Sequence, residues 1–478
     1  MTFVELFAHD WKTRFSCLST QLGLALFALV LFGAAAHGQR LRQVHRHAIA
    51  QHRRDVSIYM KDWLHDLESV TADQPDSNVP PWAGSPMDAK FSTYLPPGSL
   101  SDLAIGQSDL LPYTGEVSLW DPDIRLFSKY TLDDPVALAR GAFDSSQAIL
   151  LLLPIFLIIL SFDLVSAERD SGRLTLIAAQ GTRLRALFWR KLGLRCSLVL
   201  AIAILVPAGT ALMNDGSDPP MRWFALGLWI GGTVLYGIFW AAVVAFIASG
   251  RRSSEANILW LLLLWVGLTS IVPAGISTIA EAIDPTPSRA AYLTEARELE
   301  VKAERTKDQA TRGFLLDHPE VLVDDQSAIP EYVRTAFLVT SVVDEATLPL
   351  LRAFEETASR RAAHIDRFRY LSPSVILHAF FLDLAGTSSK RHRRYQAAVR
   401  SFKDAWAKKV GPSIIAGHRL PLDVARNLPE FTFEDETLRP NVLPHIPSLL
   451  FVGWAAAMLF WMADRQLKKT DSRNLLNP

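Results

Sequence analysis

The sequence is poor in cysteine and has no charge imbalance, and both absences exclude classes of protein. Its 478 residues include only two cysteines, Cys17 and Cys196. Any folded domain formed by the rest of the chain therefore has no disulfide bond and must be stabilised by packing. Basic and acidic residues number 49 each, which gives a formal net charge of zero. A nucleic-acid footprint along the whole chain requires an excess of basic residues, so we expect no nucleic-acid partner.

Nucleotide-binding and catalytic motifs are also missing. The sequence has no G-x-x-x-x-G-K-[ST] phosphate loop and no Gly-Lys dipeptide at all. It also lacks the H-E-x-x-H zinc motif and the G-x-S-x-G nucleophile turn. We therefore predict that the chain is not an enzyme, has no catalytic residues and holds neither a cofactor nor a metal.

Long uncharged apolar runs are what the sequence has in abundance. Crossing about 30 Å of hydrocarbon takes about 20 helical residues. Six stretches without Asp, Glu, Lys or Arg come close to or exceed that length: 15–39, 145–162, 196–214, 223–250, 256–280 and 446–463. We predict a mainly α fold, a polytopic membrane protein with six transmembrane helices.

Basic residues in the short loops predict how the chain is oriented. The segments 163–195 and 251–252 and the tail after 463 are rich in Lys and Arg, which favours the cytoplasmic side. Both termini are then cytoplasmic. The predicted units are 1–39, 40–144, 145–280, 281–445 and 446–478, of which 40–144 and 281–445 are extracytoplasmic.

The extracytoplasmic segments have the composition of a largely helical domain. Good helix formers predict helices at 40–70, 290–313, 344–371, 374–384 and 388–410. The stretch 75–122 is rich in Pro, Gly, Ser and Asp, which predicts loops with a few short strands.

Four aromatic residues recur at every fourth position before the first apolar run. Phe3, Phe7, Trp11 and Phe15 would share one helix face. Such a face predicts a helix lying at the membrane interface. The alternative is a cytosolic extension of the first span.

The loop 163–195 carries an ordered motif. Glu168, Arg169 and Asp170 are followed by Ser171, Gly172 and Leu174, and then by Gly181, Arg183 and Lys191. This order resembles the loop after the second helix of ABC-2 type permeases, the membrane subunits of ATP-binding-cassette exporters. The resemblance implies a short coupling helix, carrying Glu168, that docks on an ATPase. Arg173 departs from the small polar residue usual at its position.

A second resemblance lies in the segment 371–402. The matching positions are Ser372, Pro373, Ala385, Gly386, Thr387, Arg391, His392, Tyr395 and Phe402. They are similar to a bacterial ABC-2 permease subgroup with a large extracytoplasmic domain of unknown function, inserted after the first and fifth membrane helices.

Together the two resemblances imply a permease dimer, of identical or paralogous chains, in a bacterial inner membrane. The expected partners are the lipid bilayer, two copies of a separate ATPase that binds ATP and Mg, and a further protein in the periplasm. The alternative is a mechanotransmitting or sensory subunit, in which the ATPase works the extracytoplasmic domain on a partner and nothing crosses this chain. The substrate is left open.

Two clusters of titratable residues have alternative interpretations. Five of the 12 histidines lie between residues 37 and 65, at His37, His45, His47, His52 and His65. A metal site requires a carboxylate or a cysteine at suitable spacing, so we expect solvated histidines there. The run 390–394 could contact lipid headgroups or an anionic substrate, but we expect an exposed helix face.

Overall fold

A computed structural model describes most of the chain. The described residues are 17–71, 79, 83–126, 143–170, 172, 184–213, 219–250, 252–285, 294–295, 297–299, 301–302, 305, 328–435 and 438–476. Several predictions lie outside them: the aromatic residues Phe3, Phe7, Trp11 and Phe15, the loop residues Leu174, Gly181 and Arg183, and most of the predicted helix 290–313.

The described residues form helices with one short pair of strands. In chain order the elements are α1 (Leu18–Thr71), β1 (Phe91–Tyr94), β2 (Thr114–Val117), α2 (Ser145–Ser161), α3 (Ser166–Asp170), α4 (Leu184–Leu212), α5 (Pro219–Ala248), α6 (Ser254–Val266), a π-helical segment (Gly267–Ile271), α7 (Val272–Ile283), α8 (Glu331–Phe368), α9 (Pro373–Ala385), α10 (Ser389–Ile415), α11 (Leu422–Arg426), α12 (Leu438–Val442) and α13 (Ile446–Leu476). The mainly α fold is confirmed.

Six helices in the described part of the chain are long and apolar enough to cross a membrane, which confirms the predicted polytopic protein. They are Leu18–Thr71, Ser145–Arg169, Leu184–Leu212, Met221–Ala248, Ser254–Ile283 and Arg439–Lys469. Hereafter span 1 is the membrane-crossing part of α1, spans 2, 3 and 4 are α2, α4 and α5, span 5 runs from α6 to α7, and span 6 is α13. Polar contacts between their ends define a common side of the bundle. Ser249, after span 4, donates to Gln466 of span 6, and Asn257 of span 5 donates to the carbonyl of Phe162 after span 2.

We call this side the loop end and the opposite side the domain end. The beginning of span 1, the described residues 163–170 and 184–195, and the C-terminal part of α13 belong to the loop end. That this end faces the cytoplasm stays a prediction.

Span 1 is the membrane part of a much longer helix. Helix α1 has 54 residues, which at 1.5 Å each give a length of about 80 Å. Only about 30 Å of this lies in hydrocarbon. The predicted helix 40–70 is therefore continuous with the first span, and α1 extends out of the bundle at the domain end.

The far end of α1 packs into a second hydrophobic core, which we call the extramembrane domain. Its core includes Trp63 and Leu67 of α1, Phe91 of β1, Val117 of β2 and Trp406 of α10. The two strands are antiparallel, with Phe91 opposite Val117. The short strands expected within 75–122 are therefore present. Buried and half-buried residues alternate along β1, and its buried Phe91 packs with Val117 of β2 in the core that α1 and α10 share.

Helix α9 lies in an unexpected place. It has only 13 residues, so it is too short to cross the bilayer, yet its apolar face belongs to the core of the membrane bundle. Phe381 stacks on Trp229 of span 4, with ring centroids 4.2 Å apart. Tyr236 of span 4 donates to the carbonyl of Leu150 in span 2, and its hydroxyl lies 3.0 Å from Ser374 Oγ of α9. The predicted segment 281–445 is thus not wholly outside the bundle.

Burial of His392 in α10 predicts a pH-dependent stability. Burial, reinforced by the neighbouring cations of Arg391 and Arg393, lowers the pKa of His392 to about 4. Between pH 6.5 and pH 4 the unfolded chain binds a proton at this site and the folded chain does not, so stability falls as the pH falls.

We expect His392→Gln to reduce this loss of stability, measured as the change in melting midpoint between pH 7 and pH 4.5. His47→Gln, at an exposed position of α1, is the control. An equal pH dependence in His392→Gln and in the unaltered protein would contradict the assignment.

Candidate coupling site and membrane cavity

Helix α3 begins five residues after span 2 at the loop end and carries the first residues of the predicted coupling motif. It covers Ser166–Asp170 and includes Glu168 and Arg169. Gly172 follows with a φ of 69°, a left-handed conformation that glycine adopts without steric cost. The chain therefore changes direction two residues after α3.

Glu168 is directed at another helix of the same chain. Its carboxylate forms an ion pair with Nζ of Lys191 in span 3. The two side chains are 19 % and 7 % exposed. This contact lies inside the chain and gives Glu168 the geometry of a positioning residue, and the predicted docking of its helix on an ATPase stays a prediction.

Other contacts connect α3 to spans 4 and 5. Ser254 Oγ, at the start of span 5, donates to Ser166 Oγ at 2.8 Å. Nη1 of Arg169 lies 3.5 Å from the carbonyl of Gly250, just after span 4. Since Lys191 belongs to span 3, the contacts of α3 reach spans 3, 4 and 5.

A buried arginine, Arg195, and an exposed one, Arg185, complete the loop end. Arg195 of span 3 donates to the carbonyl of Leu160 at 2.6 Å, and its guanidinium lies 3.3 Å from Asp163. Arg185 holds Asp464 of span 6 through two hydrogen bonds, of 2.5 and 3.1 Å. The sequence motif indicated that this loop is important. The residues that contact the motif lie elsewhere in the sequence, on or next to spans 3, 4 and 5, and no sequence pattern identified them.

A cavity of about 330 Å³ lies at the domain end. Its lining comes from spans 2 and 5 and from helices α8 and α9. The apolar residues are Leu150, Leu151, Pro273, Ile276, Ile365 and Val375, and the polar ones are Gln147, Thr269, Ser277, Ser374 and His378. The cavity thus lies where the membrane bundle meets the extramembrane helices.

The π-helical segment in span 5 forms part of the cavity wall. Ser372, which caps α9, donates to the carbonyl of Leu268 at 2.6 Å. Nε1 of Trp265 donates to the carbonyl of Leu151 in span 2 at 3.1 Å. A π-helical insertion widens the turn and redirects carbonyl groups. Here one redirected carbonyl is satisfied by Ser372, which fixes α9 against span 5.

His378 lines this cavity, and Asp144 lies close enough to act on it electrostatically. Burial lowers the pKa of His378, and the carboxylate of Asp144 opposes that shift. Asp144 is fully buried and caps the start of α2. Its two carboxylate oxygens accept four hydrogen bonds, from the backbone of Ile105, Gly106 and Gln147 and from Ser146 Oγ.

The residues of the 371–402 resemblance occupy structural positions. Ser372 caps the N-terminus of α9, and Gly386 ends it with a φ of 73°. Arg391 is 4 % exposed and donates to both carboxylate oxygens of Asp435 and to the carbonyls of Gly386 and Pro96. These residues fix the junction between α9, α10 and the preceding loop.

The expectation of an exposed face for the run 390–394 is therefore wrong for Arg391 and His392, which are buried. The expectation of solvated histidines is wrong for two of the five near the first span. His45 stacks on Tyr113 with centroids 4.0 Å apart, and His52 Nε2 lies 2.9 Å from the carbonyl of Gly115. Among the described residues no group of three potential metal ligands is found.

Residues 289–434 match a family described as a domain of unknown function, DUF3526. The match includes α8 to α11, and therefore both the extramembrane helices and the bundle-packed helix α9. The description names no activity. Neither the curated proteins nor the solved structures gave a match to the chain.

Proposed function

We propose that the chain is the permease subunit of an ABC-2 type exporter in a bacterial inner membrane, with the loop end in the cytoplasm. The observation that carries the proposal is the position of α3. It bears the motif residues Glu168 and Arg169, and its contacts reach spans 3, 4 and 5.

The proposed partners follow from what the chain lacks and from its motif. A separate ATPase dimer, holding ATP and Mg, binds the loop that contains α3, and a second permease copy or paralogue completes the complex in the lipid bilayer. A periplasmic protein is a further proposed partner of the extramembrane domain. Closure of the ATPase dimer displaces the loop, and the Glu168–Lys191 ion pair passes that displacement to span 3.

The cavity at the domain end favours transport. Its walls come from spans 2 and 5, and span 5 is also a span that α3 contacts at the loop end. A movement of α3 can therefore change the shape of the cavity through span 5.

Replacing Glu168 by Gln is expected to uncouple the two ends of the bundle. The neutral amide cannot attract Lys191 as the carboxylate does, so α3 moves without span 3. In a variant without Cys17 and Cys196, the substitution Ser277→Cys reports on the cavity through its rate of maleimide labelling. We expect ATP to change this rate in the complex with the ATPase, and Glu168→Gln to reduce that change about tenfold, the size of a typical coupling free energy.

Glu255→Gln is the matched control, because Glu255 is exposed at the same end of the bundle. ATP hydrolysis and co-purification of the ATPase should persist in both variants. An unchanged ATP effect on labelling in Glu168→Gln would exclude the coupling role. Loss of the complex in this variant alone would instead place Glu168 in the ATPase interface.

A mechanotransmitting function is a second candidate, and two observations favour it. Helix α1 continues from span 1 into the extramembrane domain, and α8 is ion-paired to the end of span 5. The pairs are Arg360 with Asp284 at 3.2 Å and Arg361 with Glu281 at 3.3 Å.

Spin labels at Tyr59 of α1 and Glu345 of α8 distinguish the two functions. In a mechanotransmitter, ATP changes the distance between the labels and leaves the labelling of position 277 unchanged. In an exporter, ATP changes the labelling of position 277.

A further inference from the structure

We propose that the cavity between spans 2 and 5 and helices α8 and α9 binds a neutral amphiphile, whose hydroxyl or amide head group hydrogen-bonds to His378. The binding itself does not depend on transport. The conclusion that the bound molecule is the exported cargo rests on the proposed function.

The size and lining of the cavity fit a small ligand or the head and upper chain of a lipid. Its volume of about 330 Å³ lies at the lower end of the range for small-molecule sites, about 300–1,000 Å³. The apolar lining residues, Leu150 and Ile276 among them, provide a surface for hydrocarbon. A few polar groups in an otherwise apolar wall are the usual means of orienting a ligand.

Most of the hydroxyl groups in the wall already have partners in the protein. Ser374 Oγ lies 3.0 Å from the hydroxyl of Tyr236, and Thr269 donates to the carbonyl of Trp265 at 2.6 Å. Within the part of the chain that the structure describes, the ring nitrogens of His378 make no hydrogen bond. A neutral imidazole has one N–H donor and one acceptor nitrogen. It is therefore complementary to a group that both donates and accepts, such as a hydroxyl or an amide.

The charges around the cavity argue against an ionic head group. None of the side chains that line it is a carboxylate, a lysine or an arginine. Asp144, which lies close enough to act on His378, has its oxygens occupied by four hydrogen bonds. A phosphate or carboxylate would find no counter-ion among the side chains that line the cavity, and burying an unpaired charge is costly. Arg361, one helical turn from Ile365, is already ion-paired with Glu281. A neutral head group carries no such penalty.

The position of the cavity fits a molecule taken from a membrane. Two of its walls are membrane spans, and the others are α8 and α9, which belong to the segment outside the spans. If the alkyl chain of the amphiphile lies along spans 2 and 5, its head group lies beside α9 and within reach of His378.

Photo-crosslinking of the full-length chain, purified in detergent without any ATPase, tests the proposal. The probe is a monoacylglycerol with a diazirine in its alkyl chain, and the crosslinked peptides are identified by mass spectrometry. We expect crosslinks to peptides of spans 2 and 5 near the cavity. Unlabelled monoacylglycerol should compete at concentrations at least tenfold lower than lysophosphatidic acid with the same chain, because only the second carries a charge.

Two pairs of variants locate the site. His378→Phe should reduce crosslinking about tenfold, and His378→Gln, which keeps a donor and an acceptor, should retain more of it. Ser277→Trp, from an exposed lining position, should fill the cavity and abolish the crosslinks. Thr278→Trp is its matched control, since Thr278 is exposed on the same helix and does not line the cavity.

Equal crosslinking in Ser277→Trp and Thr278→Trp would show annular lipid only and would overturn the site. Equal competition by lysophosphatidic acid would overturn the neutral head group. Neither result involves ATP or the Glu168–Lys191 pair, so failure of this proposal and failure of the proposed exporter are separate outcomes.

Discussion

Replacing Asp102 by Asn is expected to destabilise the protein by about 3–5 kcal/mol, the effect of removing one partner from a buried ion pair. Asp102 lies in the loop after β1 and is fully buried. Its Oδ1 lies 3.2 Å from Nη1 of Arg42 in α1, and its Oδ2 accepts a hydrogen bond from Nη2 of Arg222 in span 4 at 3.0 Å. One carboxylate therefore neutralises part of the charge of two guanidinium groups.

The asparagine amide would leave two buried cations close to each other. Both arginines are nearly inaccessible, at 4 % and 6 % exposure. Water cannot replace the lost carboxylate without opening the domain end of the bundle. The melting midpoint of the purified protein, followed by the monodisperse fraction after heating, measures the loss.

The two arginines should not be equivalent. Arg222 also donates to the carbonyls of Ser99 at 2.6 Å and Ala211 at 2.8 Å. In Arg222→Met the carbonyl of Ala211 would lose this donor, and that of Ser99 would keep only the longer bond of 3.4 Å from Arg42. Arg42→Met leaves Arg222 paired with Asp102 as a neutral pair. We expect the largest loss of stability in Asp102→Asn, a smaller one in Arg222→Met and the smallest in Arg42→Met.

Asp55→Asn, at an exposed position of α1, is the control and should leave the midpoint unchanged. If Arg42→Met were as damaging as Asp102→Asn, the excess positive charge would not be the cause.

The sequence alone predicted the parts of the fold that depend on local composition. Six uncharged runs of sufficient length correspond to the six spans, because hydrocarbon admits few unpaired charges. Helix α10 was predicted at 388–410 and covers Ser389–Ile415, since Ser388 caps its start. Helix α8 begins 13 residues before its predicted start, at Glu331. The sequence analysis split α1 into a span at 15–39 and a separate helix at 40–70, because it ended each span where charged residues begin. The structure shows one uninterrupted helix.

Long-range contacts explain why the rest could not be predicted. Helix α9 is apolar but shorter than a span, and it packs in the bundle because spans 2 and 4 provide Leu150 and Trp229. No pattern within 374–384 specifies those partners. Likewise, Asp102 sits in a loop sequence typical of solvent exposure, and its two arginines lie 60 and 120 residues away.

The candidate coupling site shows the same division. The motif located Glu168 and Arg169 in the loop between spans 2 and 3, but it did not indicate that Lys191 is the partner of the Glu168 carboxylate. The ion pair with Lys191 arises because span 3 returns beside α3. The cavity could not be foreseen either, since its lining residues come from spans 2 and 5 and from helices α8 and α9, spread over residues 147–378.

Replacing Gly38 by Ala is expected to have the second large effect on stability. Gly38 lies in span 1, where a Cβ atom would be 1.9 Å from the carbonyl oxygen of Asp102. The obstructing atom belongs to the backbone, so no side-chain rotation relieves the clash. The loop that carries Asp102 must move, and on its other side Gly98 already lies close to α9, since a Cβ there would be 2.1 Å from the carbonyl of Ala385.

We expect Gly38→Ala to lower the melting midpoint by the equivalent of about 1–3 kcal/mol, the usual effect of overpacking. Gly33→Ala in the same helix is the matched control, because no described atom lies within 4 Å of its added Cβ. Alanine favours helix over glycine by about 1 kcal/mol, so the control should be neutral or stabilising.

Combining Gly38→Ala with Arg42→Met tests whether the clash acts through Asp102. Moving the Asp102 loop also weakens the Arg42 pair, so the two substitutions share one interaction. Residues that share a partner show non-additive effects. We therefore expect the double variant to lose less stability than the sum of the single variants. Additive losses would mean that Gly38 is needed for packing alone and that the ion cluster tolerates displacement of its loop.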